Sequence, residues 1–196
     1  IKRDISRREV AYIEENKMLL PGIRINVEPI RNYAHREFAS HVLGYLGEVS
    51  KNELKTLKFS RYQPGDMIGK NGIEKIYESE LRGKKGFKEV EVDVSGRELK
   101  ALRKLSPETG NSLVLTLDSR VQSKLEMLMD KVSDKNSVEG SAVVMKVQSG
   151  EIIAIVSKPS FDPNSFASGV SRKKWNILVR DDKNPLQNRT IDGQYP

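Results

Sequence analysis

Apolar and polar positions along the 196 residues change period several times, and each change marks an element. Ser6-Arg7-Arg8-Glu9 is a capping box, after which Val10 and Ile13 give a short helix one apolar face. Leu20-Pro21-Gly22 closes that helix, and Ile23 to Glu28 alternates with period two, predicting a strand with one wet face. Arg31-Asn32-Tyr33 leads into a predicted helix carrying Phe38, Val42 and Leu43 and stopped by Gly44. Ser50-Lys51-Asn52-Glu53 is a second capping box and opens a helix with Leu54 and Leu57. Between the glycine pairs Gly69/Gly72 and Gly83/Gly86, the residues Ile73, Ile76, Tyr77 and Leu81 fit one helical face. Phe87 to Val94 then alternates cleanly, Ser95-Gly96 predicts a turn, and Arg97 to Leu105 is the expected partner strand.

Ser106 to Asn111 reads as a linker, and the pattern changes after it. Leu113 to Leu117 is a predicted strand, and Ser119-Arg120-Val121-Gln122 a third capping box. The helix it opens aligns Val121, Leu125, Leu128 and Val132 on one stripe. Two nearly continuous apolar runs follow, Ala142 to Val147 and Ile152 to Val156, joined by Gln148-Ser149-Gly150-Glu151. Runs without alternation suit a hairpin covered on both faces inside a layered α/β domain. Ser171 to Arg180, with Trp175, Leu178 and Val179, is the last expected helix. The fold class is α+β: an elongated chain in two parts, 1–107 and 108–196.

Composition agrees with a shape rich in surface, since 37% hydrophobic and 6% aromatic residues are few for one compact core of this length. The net charge of +7 is spread out, Lys84-Lys85 and Arg172-Lys173-Lys174 being its densest spots. Such a balance gives only sequence-independent attraction to phosphate, so nucleic acid is not an expected partner. The absence of cysteine excludes disulfides, thiolate metal sites and a Cys nucleophile. No apolar run is long enough to span a bilayer. The chain opens on Ile1 and runs out at Gln194-Tyr195-Pro196 in mid-phrase, so further residues are expected on both sides.

Candidate chemistry is sparse. Gly69-Lys70-Asn71-Gly72 lacks the spacing of a phosphate loop, and its glycines read as tight-turn positions. His35 and His41 are six residues apart, which does not put both on one helical face; they read as surface or boundary residues, and no metal is expected. Ser171-Arg172-Lys173-Lys174 has the Ser-x-x-Lys spacing of acyl-serine enzymes. In that chemistry a desolvated, neutral Lys takes the Ser proton, and three adjacent cations cannot supply such a setting. Glu74 sits between Ile73 and Ile76, where an unpaired carboxylate is costly. A structural ion pair is the expected answer, with Arg31 the best candidate within the chain.

Taken in order, Arg31-x-Tyr33, Ala39-x-His41-x-Leu43-Gly44-Tyr45-x-Gly47 and Gly69-x-x-Gly72-x-Glu74-x-x-Tyr77-x-x-x-Leu81-x-Gly83-x-x-Gly86 resemble the non-penicillin-binding, or pedestal, region of class B penicillin-binding proteins. Leu115 to Asp118, Ala142 to Val144, Ser149 to Ala154 and Pro159 to Asn164 resemble the opening of their transpeptidase domain. Leu186-x-Asn188-Arg189 and Phe161-Asp162-Pro163-Asn164 look most like the elongation branch, that of penicillin-binding protein 2. Two departures are Ala34, where family members often carry Pro, and the family's upstream Arg-Gly-rich pedestal motif, which lies before Ile1 and is the alternative source of a partner for Glu74.

The resemblance implies a pedestal over 1–107 and the first part of a transpeptidase domain over 108–196. It implies a D,D-transpeptidase that cross-links peptidoglycan stem peptides through an acyl-serine and is trapped by β-lactams. The Ser nucleophile is expected shortly after Pro196, so no catalytic residue is assigned here and this stretch alone is expected to be inactive. The resemblance also implies no cofactor, a SEDS-family glycosyltransferase and an MreC-type scaffold as pedestal partners, and an upstream anchor in the bacterial cytoplasmic membrane with this region outside it. The assigned structural residues are Arg31, Tyr33, Gly44, Gly69, Gly72, Glu74, Tyr77, Leu81, Gly83 and Gly86. The alternative reading is a stand-alone basic binding or scaffold module, associated with nucleic acid through its charge.

Overall fold

The computed structural model describes residues 4–23, 25–27, 29–56, 62–94, 98–136, 139–167 and 169–194. Leu57, the Ser95-Gly96 turn, Arg97 and the Tyr195-Pro196 ending lie outside the described residues. The chain packs as two compact units, one of residues 1–30 and 79–112, the other of 31–78 and 113–196.

In the first unit, helix α1 (Arg7–Glu15) starts where Ser6 and Glu9 exchange bonds: the Glu9 N–H donates to Ser6 Oγ (3.3 Å) and the Ser6 N–H to Glu9 Oε2 (2.8 Å). A 3-10 turn at Lys17–Leu19 follows. Among the described residues of 23–28 no strand forms, and Val27 is 97% exposed. Alternation gives a segment two faces, yet without a partner ladder it stays open chain. Later in the sequence, β3 (Phe87–Val92) pairs antiparallel with β4 (Glu98–Leu105), Phe87 opposite Leu105. The Val90/Val92/Val94 face is not a core face: only Val90 is half-buried, because among the described residues no layer stacks on this two-stranded ribbon.

The second unit holds α2 (Ser40–Leu43), β1 (Leu46–Glu48), α3 (Lys51–Thr56), β2 (Met67–Gly69) and α4 (Gly72–Ile76). The short helix α5 (Glu78–Leu81) carries the chain out of it. The chain returns for α6 (Ser119–Asn136), β5 (Gly140–Met145), β6 (Ile152–Lys158), α7 (Asn164–Ala167) and α8 (Arg172–Val179). The helix expected to run on from Tyr33 is shorter than its apolar pattern: 34–39 are turns, Ala39 is left-handed (φ 50°), and only then does α2 begin. α3 begins at its expected box, Ser50 N–H donating to Glu53 Oε2 (2.7 Å) and Glu53 N–H to Ser50 Oγ (3.2 Å). β1 pairs with β2, and β5 with β6, both antiparallel.

Three expectations in this unit fail for local physical reasons. Residues 113–117 form no strand; they run beside β6, bonding it through Thr116 Oγ1 to the Ile152 carbonyl (2.7 Å) and Asp118 N–H to the Ile153 carbonyl (2.9 Å). The cap of α6 is Asp118, whose Oδ1 accepts from Arg120 N–H (2.9 Å) and Val121 N–H (3.3 Å), so Ser119-x-x-Gln122 is no capping box. And the apolar stripe of α6 is open: Val121, Leu128 and Val132 are exposed, as are Val143, Val144 and Met145 on β5, because among the described residues no layer covers that side. The buried centre lies on the other face, where Ala154, Val156, Phe161 and Phe166 meet. Tyr45 stacks on Phe166 at 4.1 Å between centroids, and Phe161 sets its edge against both rings.

Candidate functional site

Glu74 lies in the first turn of α4, which Asn71 opens by accepting the Gly72 N–H on Oδ1 (2.8 Å). Its side chain is only 8% exposed, and three donors replace the water it loses. Arg31 Nε sits 2.9 Å from Oε1, Arg31 Nη2 donates to Oε2 (3.2 Å), and Tyr33 Oη donates to Oε1 (3.1 Å). Burial first, then the Glu74 charge and hydrogen bond, push the Tyr33 phenol well above its ordinary pKa. Tyr33 therefore stays a donor.

The backbone on either side of Tyr33 is gripped by a second loop. Tyr33 N–H donates to Asn164 Oδ1 (2.9 Å), and Asn164 Nδ2 donates back to the Tyr33 carbonyl (2.9 Å). Asp162 orients that amide, its Oδ1 accepting from Asn164 Nδ2 (2.9 Å) and N–H (2.9 Å). So the Arg-x-Tyr segment and the Phe-Asp-Pro-Asn loop, 131 residues apart, form one clamp. Their pairing was not legible in the sequence, although both motifs were.

More polar contacts extend the junction. Ser160 Oγ donates to Glu37 (2.7 Å), and Ala39 N–H to Glu126 Oε1 (2.7 Å). Gln122, fully buried, donates to that same Glu126 oxygen (2.8 Å) and to the Ile155 carbonyl (2.9 Å), and accepts the Ile155 N–H (2.8 Å). Nothing in the sequence singled Gln122 out, since it occupied the place of a capping residue. His41 corrects its surface reading: it is 6% exposed, with Nε2 bonded to the Pro185 carbonyl at 2.8 Å and its ring against Phe161 at 5.1 Å. Burial lowers its pKa, the Pro185 bond opposes this, and the Arg189 and Lys158 charges add to the lowering, so it is neutral. His35 is exposed. Arg189 is buried and donates to the Lys183 (2.6 Å) and Asn184 (3.2 Å) carbonyls and to Glu139 (3.0 Å), while its N–H donates to Ser157 Oγ (3.1 Å).

The glycines of the second unit serve close packing. Gly72 has φ +57°, and a Cβ there would meet the Val42 carbonyl and the Gly44 backbone. One at Gly44 would strike the Asn71 carbonyl, and one at Gly69 the Glu74 carbonyl. The strand β2 ends at Gly69, and the glycines of the loop that follows pack on protein backbone. Tyr77 ends α4 through its N–H to the Ile73 carbonyl (2.9 Å) and is 43% exposed; Ile76 at 73% is no face residue. Leu81, Gly83 and Gly86 lie in the other unit, the two glycines against the Glu108 and Leu105 carbonyls.

Ser171 Oγ is the cap of α8 and accepts Lys174 N–H (3.3 Å), and the Lys174 side chain is exposed. That is not an acylation site. Among the described residues no His/Asp/Glu group could hold a metal, and no helix is long and apolar enough to cross a membrane.

The family model of the penicillin-binding protein dimerisation domain matches residues 1–115, and that of the penicillin-binding protein transpeptidase domain matches 140–196. Peptidoglycan D,D-transpeptidase MrdA of Acinetobacter baumannii is 35% identical over 196 residues, covering 100% of this chain and 28% of that protein. MrdA of Escherichia coli K12 is 33% identical over 200 residues, covering 100% of this chain and 31% of that one. The chain thus spans about a third of the length of these relatives. Among solved structures, the complex between penicillin-binding protein PBP2 and MreC of Helicobacter pylori matches with a TM-score of 0.68 and 34% identity, over 94% of this chain and 33% of that one. With its dimerisation-domain match, its partial transpeptidase match and the whole-chain likeness to MrdA and PBP2, the chain belongs to the class B penicillin-binding proteins of the elongation type.

Proposed function

We propose that the protein to which this chain belongs is a peptidoglycan D,D-transpeptidase. A Ser Oγ attacks the carbonyl of the penultimate D-Ala of a stem peptide, and the terminal D-Ala leaves with the proton. The acyl-enzyme then passes to an amine on a neighbouring strand, which regenerates the Ser hydroxyl. The observation that carries this reading is the likeness to MrdA along all 196 residues. The junction geometry supports it, because Tyr33, Glu37, Ala39 and His41 are bonded to Asn164, Ser160, Glu126 and Pro185. Residues 1–107 act as the pedestal and 108–196 as the first part of the catalytic domain. Arg31, Tyr33, Glu74 and the surrounding glycines hold the pedestal's junction in shape.

The PBP2–MreC complex supports an MreC-type scaffold as a pedestal partner; a SEDS-family glycosyltransferase is the second. The location that follows is the outer side of the bacterial cytoplasmic membrane, held by an anchor outside these residues. A basic nucleic-acid module is the weaker reading, since a net +7 spread along the chain gives only sequence-independent attraction to phosphate. The test is labelling with fluorescent penicillin. A chain of the relatives' full length becomes covalently labelled and is protected by unlabelled penicillin, while these 196 residues alone stay unlabelled. No label on the long, folded chain overturns the enzyme reading.

A further inference from the structure

Helix α8 opens with Arg172, Lys173 and Lys174, all exposed, and among the described residues none of their side chains has a hydrogen-bond or ionic partner. No acidic residue stands in that first turn. The N-terminal end of a helix carries partial positive charge and favours carboxylates, so three cations there oppose the isolated chain's stability. Trp175, 37% exposed, packs T-shaped against Phe166 at 6.3 Å between centroids. On the outer side Ile177, 61% exposed, lies one turn from both Lys173 and Lys174, with exposed Arg180 three residues on. The neighbouring Asp181 turns its carboxylate to the Lys183 N–H (2.9 Å).

We propose that this outward face of α8 holds the peptidoglycan polymer through the free carboxylates of its stem peptides. The identity of the polymer rests on the transpeptidase reading above. Charge complementarity carries the assignment: Lys173, Lys174 and Arg180 each lie about one turn from the exposed Ile177, with exposed Arg172 at the start of the same helix, and such a cluster of cations suits a repeated acidic peptide. The patch also lies within 140–196, the stretch that matches the transpeptidase domain. Each contact is weak alone, and many stems on one strand raise the effective concentration. A lipid surface is the poorer fit: Ile177 and Val179 are exposed, but the eight-residue helix carries one aromatic side chain, and that ring, Trp175, packs against Phe166.

The experiment is co-sedimentation of the 196-residue chain with insoluble peptidoglycan stripped of protein and of other anionic polymers. Binding is expected at low salt and weakened at about 150 mM, where the screening length falls to about 8 Å. R172Q/K173Q/K174Q lowers the bound fraction at least about tenfold, as does amidating the polymer's carboxylates, whereas K173R/K174R keeps binding. Helical circular dichroism is unchanged in both variants, since the replaced side chains are exposed and the Ser171 cap is kept. Equal binding by the triple variant, equal binding to amidated polymer, or uptake onto phosphatidylglycerol vesicles in preference to peptidoglycan overturns the proposal. Penicillin labelling of the longer chain is read separately, so loss of the patch and loss of the enzyme reading are distinguishable.

Discussion

At Glu74 a carboxylate has lost most of its water and kept donors from Arg31 and Tyr33. Removing one donor of a buried charge costs more than the bond, because the charge stays behind. Arg31→Met is therefore expected to destabilise by about 2–4 kcal/mol, discounted for the partly exposed guanidinium, and Tyr33→Phe by about 1 kcal/mol. Urea midpoints order the two, and an equal or reversed order refutes the account. His41 gives a pH signature. Its unfolded form takes up a proton near 6.5 and the folded form only at lower pH, so its share of stability is present above 6.5 and lost as pH falls below it. The melting temperature is expected to drop between about pH 7.5 and about pH 5.5, and the drop to shrink in His41→Gln, which keeps a donor for Pro185. Glu53 works lower: burial raises its pKa, but Lys70 and the Ser50 hydroxyl and N–H outweigh this and hold it at about 2. What it adds is lost only as pH falls from 4.5 toward about 2.

Helix α6 is where the sequence pattern and the structure part by one residue. A Ser-x-x-Gln spacing reads as a box, but Asp118 immediately before it is the better acceptor and takes the cap. Gln122 is thereby freed to satisfy both backbone groups of Ile155. Asp118→Ala is expected to cost about 1 kcal/mol and Ser119→Ala less than about 0.5 kcal/mol. Gln122→Leu, similar in size, leaves the N–H and carbonyl of half-buried Ile155 unpaired and is expected to cost about 2 kcal/mol. Chemical denaturation of the three variants checks the ranking, and a Ser119 effect larger than that of Asp118 restores the box. The boxes at Ser6 and Ser50 were legible because all their partners are local and nothing nearby competes.

Over the whole chain, the two compact units bury their elements unequally. The β3–β4 ribbon exposes Phe87, Val92, Leu99 and Leu102, whereas β6 is covered by α6 and the aromatic cluster. Hydrogen exchange is expected to find ribbon amides opening at lower free energy than those of Ala154 and Val156, and slower exchange in the ribbon counts against this ranking. The sequence by itself determined the capping boxes at Ser6 and Ser50, the β3–β4 hairpin, the β5–β6 pair, the last helix and the need of Glu74 for a partner. Those depend on neighbours a few residues away or on a cost any buried charge must meet. Tertiary structure decided that Asn164 would clasp Tyr33, that His41 would reach Pro185, and that Gln122 would turn inward. It also decided that residues 31–78 would pack in one unit with 113–196. The physical reason is that such contacts join groups 33 to 144 residues apart, where residue periodicity carries no information and only the packed chain brings donor to acceptor.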